Sequence, residues 1–150
     1  KDRPNCYGTA IDICKKALKI AIYNAKIHHL GNKIKFINID IDKFKHNKYD
    51  LIVSNPPYIN SINLKRLDNN VRFYEPIVAL EAGVDGFREI RKLILNSKKL
   101  LKKNGKLIFE IGKNQALPTK NMLNKNNFYV NKICKDMQSI PRVFIATKTI

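Results

Sequence analysis

Arginine, acidic side chains, cysteine and long apolar runs are all scarce in this chain, and each scarcity excludes something. The three cysteines, Cys6, Cys14 and Cys134, are scattered and odd in number. That excludes a disulfide framework and a zinc-finger spacing, so a reducing cytoplasm is the expected compartment. His28, His29 and His46 have no ligand spacing, and no metal site is expected. No apolar run approaches the roughly 18 residues that mark a membrane span, and no signal-peptide pattern opens the sequence, so no membrane association is expected. Twelve acidic residues stand against 29 basic ones, for a formal net charge of +17. Charge of that size invites a nucleic-acid reading. Yet 23 of the 29 are Lys and only 6 are Arg, alongside 18 Asn and 21 Ile. That mixture fits AT-rich coding, and clustered Arg would be the better mark of phosphate recognition. The lysines are spread along the whole chain, so most of the charge reads as solvated surface with some general attraction to RNA-rich partners, and direct nucleic-acid binding is not expected.

What is present is enough for one domain with a core: 150 residues, 44% of them hydrophobic. Tyr7 to Ile13 reads as a short buried strand with an acid, Asp12, near its end. Lys15 to Leu30 carries Ala17, Leu18, Ala21, Ile22 and Ala25 at helical spacing and is stopped by Gly31. Lys33 to Ile39 is a strand ended by Asp40 and Asp42. Lys43 to Lys48 is a polar connection, and Tyr49 to Ser54 is a second buried strand. Ile59 to Asp85 has no clear periodicity, and a connection of that length in a compact domain is usually functional. Gly86 to Lys102 is a helix, Asn104-Gly105 a turn, Lys106 to Ile111 a buried strand. Gln115 to Asn126 is a helix that accommodates Pro118 near its first turn. Asn127 to Cys134 and Arg142 to Lys148 are strands joined by a loop, expected to pair antiparallel. Strand and helix alternate up to Asn126, which predicts an α/β sheet.

The most specific stretch is Asn55-Pro56-Pro57-Tyr58, at the exit of the Tyr49–Ser54 strand. Proline fixes φ and has no N–H to donate, so Pro56-Pro57 ends the strand abruptly and stiffens the loop. In open α/β sheets, ligands bind beyond the carboxyl ends of the strands. A loop of this kind suits a planar amino group, whose lone pair is delocalised and poorly nucleophilic. The Asn55 side-chain oxygen and the Pro56 carbonyl can accept its two N–H bonds, aim the lone pair and stabilise the charge that grows on nitrogen. Tyr58 can lie against the planar group. The alternative is a plain structural turn.

Other positions carry weaker signals. Asp12 can accept from ribose hydroxyls or simply cap the next helix. Asp40 can accept from an adenine amino group with Ile41 on the ring, or be a solvated turn acid, with Asp42 competing. Glu75-Pro76 and Asp85-Gly86 can close over a substrate. Glu110 at a strand end, followed by Gly112 and Gln115, reads as a sheet-edge site or as a helix-start acid.

These stretches resemble the protein-(glutamine-N5) methyltransferases that modify peptide chain release factors. The resemblance is carried by Ala10–Ile13, Asp50–Ile59, Tyr74-Glu75-Pro76 with Ala79-Leu80, Gly83–Gly86, Glu110–Gly112 with Gln115, and Lys135–Met137 with Arg142-Val143. It spans nearly the whole chain in the family's order. It implies a Rossmann-like S-adenosylmethionine-dependent fold, mostly parallel with an antiparallel C-terminal strand. It implies methylation of the glutamine amide in the Gly-Gly-Gln loop of a release factor, the expected partner. Asp12 would hold the cofactor ribose and Asp40 and Ile41 the adenine. Asn55 would touch both cofactor and substrate. Pro56, Pro57, Tyr58 and Glu75 would bind the substrate, with Asn55, Pro56 and Tyr58 carrying the chemistry. Ile41 stands where the family often has Trp, and Cys14 where it has Ser. The tetrapeptide is also shared with adenine-amino methyltransferases, the alternative enzyme reading. The family's first strand, glycine-rich cofactor loop and N-terminal helical domain are not in residues 1–150. A partial catalytic domain, inactive or weakly cofactor-binding by itself, is therefore expected, with a non-catalytic fragment as the further alternative.

Overall fold

The computed structural model describes residues 5–45, 48–61 and 80–150. The chain divides into two compact units, Lys1–Lys45 and His46–Ile150, each described by itself.

In the first unit, β1 (Gly8–Asp12) pairs in parallel with β2 (Ile34–Asn38), and α1 (Lys15–Ile27) connects them. The register sets Asp12 opposite Asn38, so both strands end at the same edge. Leu18 and Ala25 of α1 are buried. The helix is shorter than the spacing predicts, and Gly31 is not what stops it. His29 takes the left-handed conformation (φ 57°) in the position usually given to glycine. The His29 N–H bonds to the Lys26 carbonyl at 3.0 Å and the Leu30 N–H to the Ala25 carbonyl at 2.8 Å, the double closure of a Schellman motif. β1 is also less buried than predicted, because it has only β2 beside it among the described residues.

In the second unit the strand order is β3-β4-β6-β5, with β3 Tyr49–Ser54, β4 Leu101–Glu110, β5 Phe128–Lys135 and β6 Pro141–Lys148. β3 and β4 are parallel, and β6 is antiparallel to both β4 and β5. Three strands thus run one way and the C-terminal strand runs back, as expected. α2 (Arg88–Leu100) and α3 (Ala116–Lys125) complete the unit. Side chains alternate across β4, so Leu107 and Phe109 face the core while Lys106 is exposed. Phe109 stacks on Phe144 of β6, ring centroids 5.7 Å apart, because the two are partners in register. From α2, Ile90, Leu93 and Ile94 recur at helical spacing and are buried in the same core, with Leu123 of α3. Each such side chain stabilises the fold by about 1.5–3 kcal/mol when taken out of water.

Three features differ from expectation for physical reasons. α2 starts two residues late because Gly86 has φ +76°, outside the helical region. It ends directly in β4 with Leu101 already extended, and the expected Asn104-Gly105 turn lies inside that strand, where Asn104 is left-handed (φ 63°) and the register with β3 shifts between Leu101 and Lys106. At the α2–β4 junction the Lys48 ammonium donates to the Lys99 carbonyl, and the Lys148 ammonium to the Leu101 carbonyl at 2.9 Å, satisfying a helix end that lacks its own partners. Burial, then the charges of Lys48 and Lys98, lower the Lys148 pKa. Third, β3 is not the buried strand its apolar sequence predicts. Among the described residues only β4 lies beside it, and Leu51 and Val53 are 48% and 68% exposed.

Candidate functional site

The exit of β3 is built by long-range contacts. Asn55 is exposed, Pro56 is buried, and Pro57 and Tyr58 are half-buried. The Asn55 side chain has no hydrogen-bond partner among the described residues. Tyr58 is held at two points. Its carbonyl accepts from Gln115 Nε2 at 3.3 Å. Its ring lies on the Cα of Gly112, where an added Cβ would stand 2.8 Å from Tyr58 Cδ2. Only glycine fits there. A Cβ on Gly86 would likewise come within 3.0 Å of the Tyr58 carbonyl oxygen. Ile111, next to Gly112, is fixed by donating its N–H to the Arg142 carbonyl at 2.8 Å.

The chain after Tyr58 meets the chain before α2. Ile59 donates to the Leu80 carbonyl at 3.0 Å and accepts from the Ala82 N–H at 2.8 Å; Ser61 Oγ donates to Glu81 Oε1 at 2.8 Å. The two ends of the long connection are therefore paired in parallel. Asp85 then closes the turn into α2, accepting from the Phe87 N–H at 3.0 Å and from both Arg91 terminal nitrogens at 2.7 and 3.1 Å. The Arg91 guanidinium first, and the Phe87 N–H second, hold the Asp85 carboxyl at about 2, well below its ordinary value. Asp85 is thus occupied structurally and is not a free base.

These segments enclose a cleft of about 450 Å³ lined by Tyr58, Ile59, Asn60, Asp85, Phe87 and the Gly112–Gln115 turn. Asn55, Pro56 and Pro57 are not in its lining. Glu110, half-buried at the end of β4, is likewise outside it. Glu75, with Tyr74, Pro76 and Ala79, lies outside the described residues. Asp136, in a stretch that carries the family resemblance, is structural. It accepts from the Gln138 and Ile140 N–H groups at 2.9 and 3.0 Å and pairs with Arg142 Nε at 2.9 Å, closing the β5–β6 turn.

In the first unit, Asp12 is not the cap of α1; Cys14 occupies that position. Asp12 Oδ1 accepts from the Cys14 N–H at 2.7 Å, a local turn that fixes the carboxylate at the strand exit. Asn38, which had no assigned role from sequence, donates to the Asp12 and Ile13 carbonyls at 2.8 and 2.9 Å. Asp40 accepts from the Asp42 N–H at 3.0 Å, and half-buried Ile41 precedes buried Phe44 in the same turn. Asp12, Asp40 and Ile41 therefore gather at one edge of β1–β2. Among the described residues no group of His, Cys, Asp and Glu is arranged to hold a metal, and no helix is long and apolar enough to cross a membrane.

A family model for the RMKL-like methyltransferase domain matches residues 2–117. The chain belongs to that family. The methyltransferase domain is 33% identical over 149 residues to the release factor glutamine methyltransferase of Thermodesulfovibrio yellowstonii, covering 99% of this chain and 53% of the relative. It is 44% identical over 147 residues to the release factor glutamine methyltransferase of Fusobacterium nucleatum, covering 95% of this chain and 40% of the relative. The resemblance read from the motifs is borne out. The methyltransferase domain spans about half the length of these relatives. Among solved structures, the NodS N-methyltransferase of Bradyrhizobium japonicum in complex with S-adenosyl-L-homocysteine superposes with a TM-score of 0.60 at 17% identity, covering 93% of this chain and 65% of that one. The Rossmann-like α/β methyltransferase fold is thereby established.

Proposed function

We propose that this domain belongs to an enzyme that transfers a methyl group from S-adenosylmethionine to the side-chain amide nitrogen of a protein glutamine, the one in the Gly-Gly-Gln loop of a peptide chain release factor. The observation that carries the reading is the Asn55–Tyr58 loop: an exposed carboxamide at a strand exit, followed by two prolines and an aromatic ring clamped on Gly112. A glutamine amide needs two acceptors and a flat wall. Asn55 Oδ1 and the Pro56 carbonyl are the acceptors, and the Tyr58 ring is the wall. Accepting both N–H bonds turns the nitrogen lone pair toward the electrophile and stabilises the positive charge that develops as the new bond forms. Preorganisation matters because a prolyl loop has little freedom to lose on binding.

The residues at the β1–β2 edge fit an adenosyl group. Asp12 commits one oxygen to its own turn and has the other without a partner among the described residues, which suits a ribose hydroxyl. Asp40 would accept from the adenine amino group with Ile41 against the ring. When bound, the cofactor supplies a methyl carbon made electrophilic by a sulfonium. The amide nitrogen gives up one N–H proton to water as it gains the methyl group, and everything else asked of this chain is binding and orientation. Substrate contact by Glu75 is part of the same proposal, and the setting would be the cytoplasm, where release factors act.

The test uses the full-length protein that carries this chain, a release factor and radiolabelled S-adenosylmethionine, with the labelled residue mapped afterwards. Label on the Gly-Gly-Gln glutamine, lost in Asn55→Ala, is the expected result. Label on adenine in nucleic acid would transfer the assignment to the amino-methyltransferases of that class. No transfer to any acceptor would leave a non-catalytic role.

A further inference from the structure

We infer that Gln115 is a positioning residue of the transfer site, setting the place of Asn55 through Tyr58. The inference rests on the reading of Asn55–Tyr58 as the amide-binding loop and adds to it a residue that does not touch substrate.

Gln115 is buried, 6% exposed, at the position before α3. A Ser, Thr, Asp or Asn there ordinarily turns its side chain back to the first N–H groups of its helix. Gln115 makes no such bond. Its carboxamide points instead into the wall of the cleft and joins three separate segments. Oε1 accepts the Gly112 N–H at 2.9 Å; Nε2 donates to the Gly86 carbonyl at 2.8 Å and the Tyr58 carbonyl at 3.3 Å. Two carbonyls demand donors and one N–H demands an acceptor, so the orientation of the amide is fixed by its partners. Two glycines pack closely against it. A Cβ on Gly86 would lie 3.2 Å from Nε2, and one on Gly112 3.2 Å from Oε1. The same two glycines bear on the Tyr58 carbonyl and ring. One buried amide therefore fixes the spacing of the Tyr58, Gly86 and Gly112 segments at once.

The link onward to Asn55 is covalent and stiff. Only Pro56 and Pro57 intervene, and both have fixed φ. A shift of Tyr58 is passed to Asn55 with little absorption. Transfer to a weak nucleophile depends on alignment within about 1 Å, where misplacement can lower rate by about 100-fold. A carboxylate at position 115 would keep the acceptor for Gly112 and set lone pairs against the Tyr58 and Gly86 carbonyls.

The experiment compares Gln115→Glu and Gln115→Met with the parent in the full-length protein. The expected result is a fall in kcat per folded molecule of about tenfold or more, with the KM for S-adenosylmethionine within about twofold. A purely structural role would lower the thermal midpoint and the folded fraction and leave kcat per folded molecule unchanged, which would overturn the inference. A second readout needs no substrate. In the NMR spectrum of folded Gln115→Glu, the Asn55 and Tyr58 amide resonances are expected to move together with those of Gly86 and Gly112. If only Gly86 and Gly112 move, Gln115 does not position the loop. If neither variant folds, the parent decides: the Gln115 side-chain amide protons should exchange with deuterium far more slowly than those of exposed Asn side chains, and equal rates would defeat the proposal. Should the parent methylate no glutamine at all, the functional reading fails, and the NMR readouts still decide whether Gln115 positions the loop.

Discussion

The exits of β1 and β3 solve one problem in opposite ways. Both must hold a polar side chain still at the carboxyl end of a parallel strand. At β1 the solution is local: Asp12 bonds the N–H two residues on and so carries its own turn with it. At β3 the loop cannot do this, because two of its four residues have no N–H. It is held from outside, by Gln115 across a sequence separation of 57 residues and by two glycines that leave room for Tyr58. A locally closed exit survives changes elsewhere. A remotely clamped one is precise and correspondingly vulnerable.

That contrast can be broken experimentally. The largest effect is expected from Gly112→Ala, which puts a methyl group 2.8 Å from the Tyr58 ring. Methyl transfer should fall by about 100-fold, measured as kcat at saturating cofactor. Activity within twofold of the parent would mean that Tyr58 can move without consequence. At β1, Asp12→Asn keeps the acceptor for the Cys14 N–H and removes the charge offered to a ribose. Cofactor affinity should drop by about tenfold with the thermal midpoint unchanged, read by calorimetry on the full-length protein. Equal affinity would return Asp12 to a plain turn residue.

The next prediction concerns the clamp's neighbour. Asp85 has its carboxyl held at about 2 against an ordinary 3.8. A depressed carboxyl contributes stability that is fully present above the unfolded value and is lost as pH falls through the folded one. The window is therefore about pH 4 down to about pH 2. Asp85→Asn should flatten the acid limb of a denaturation profile in that window and leave the limb above about pH 5 parallel to the parent. A steepness unchanged by the substitution would show that the Arg91 pair is screened by solvent. Smallest is His29→Gly, which relieves a left-handed non-glycine at the end of α1. A gain of about 0.5–1 kcal/mol is expected from urea titration.

The same local-versus-remote division explains what could be read from the sequence. The helices, the strand order of the C-terminal pair and the strand-exit positions of Asp12 and Asn55 depend on periodicity and on turn residues, and these were legible. The end of α1 was not, because His29 does a glycine's work and the real glycine two residues later does none. β3 reads as buried because Leu51, Ile52 and Val53 are apolar, and among the described residues only β4 lies beside it to cover them. Gln115 could be named from motif order, but not its role. Its partners are scattered along the chain, and the one hint was a glutamine where a capping Ser or Asp would be usual.

The outward flank of β3 is one half of a strand pairing. Leu51 and Val53 face outward, and among the described residues only β4 lies beside the strand. A strand with backbone groups open on one side readily takes a further strand. Pairing there would also cover Leu51 and Val53, so the apolar sequence of Tyr49–Ser54 and its exposure ask for the same neighbour.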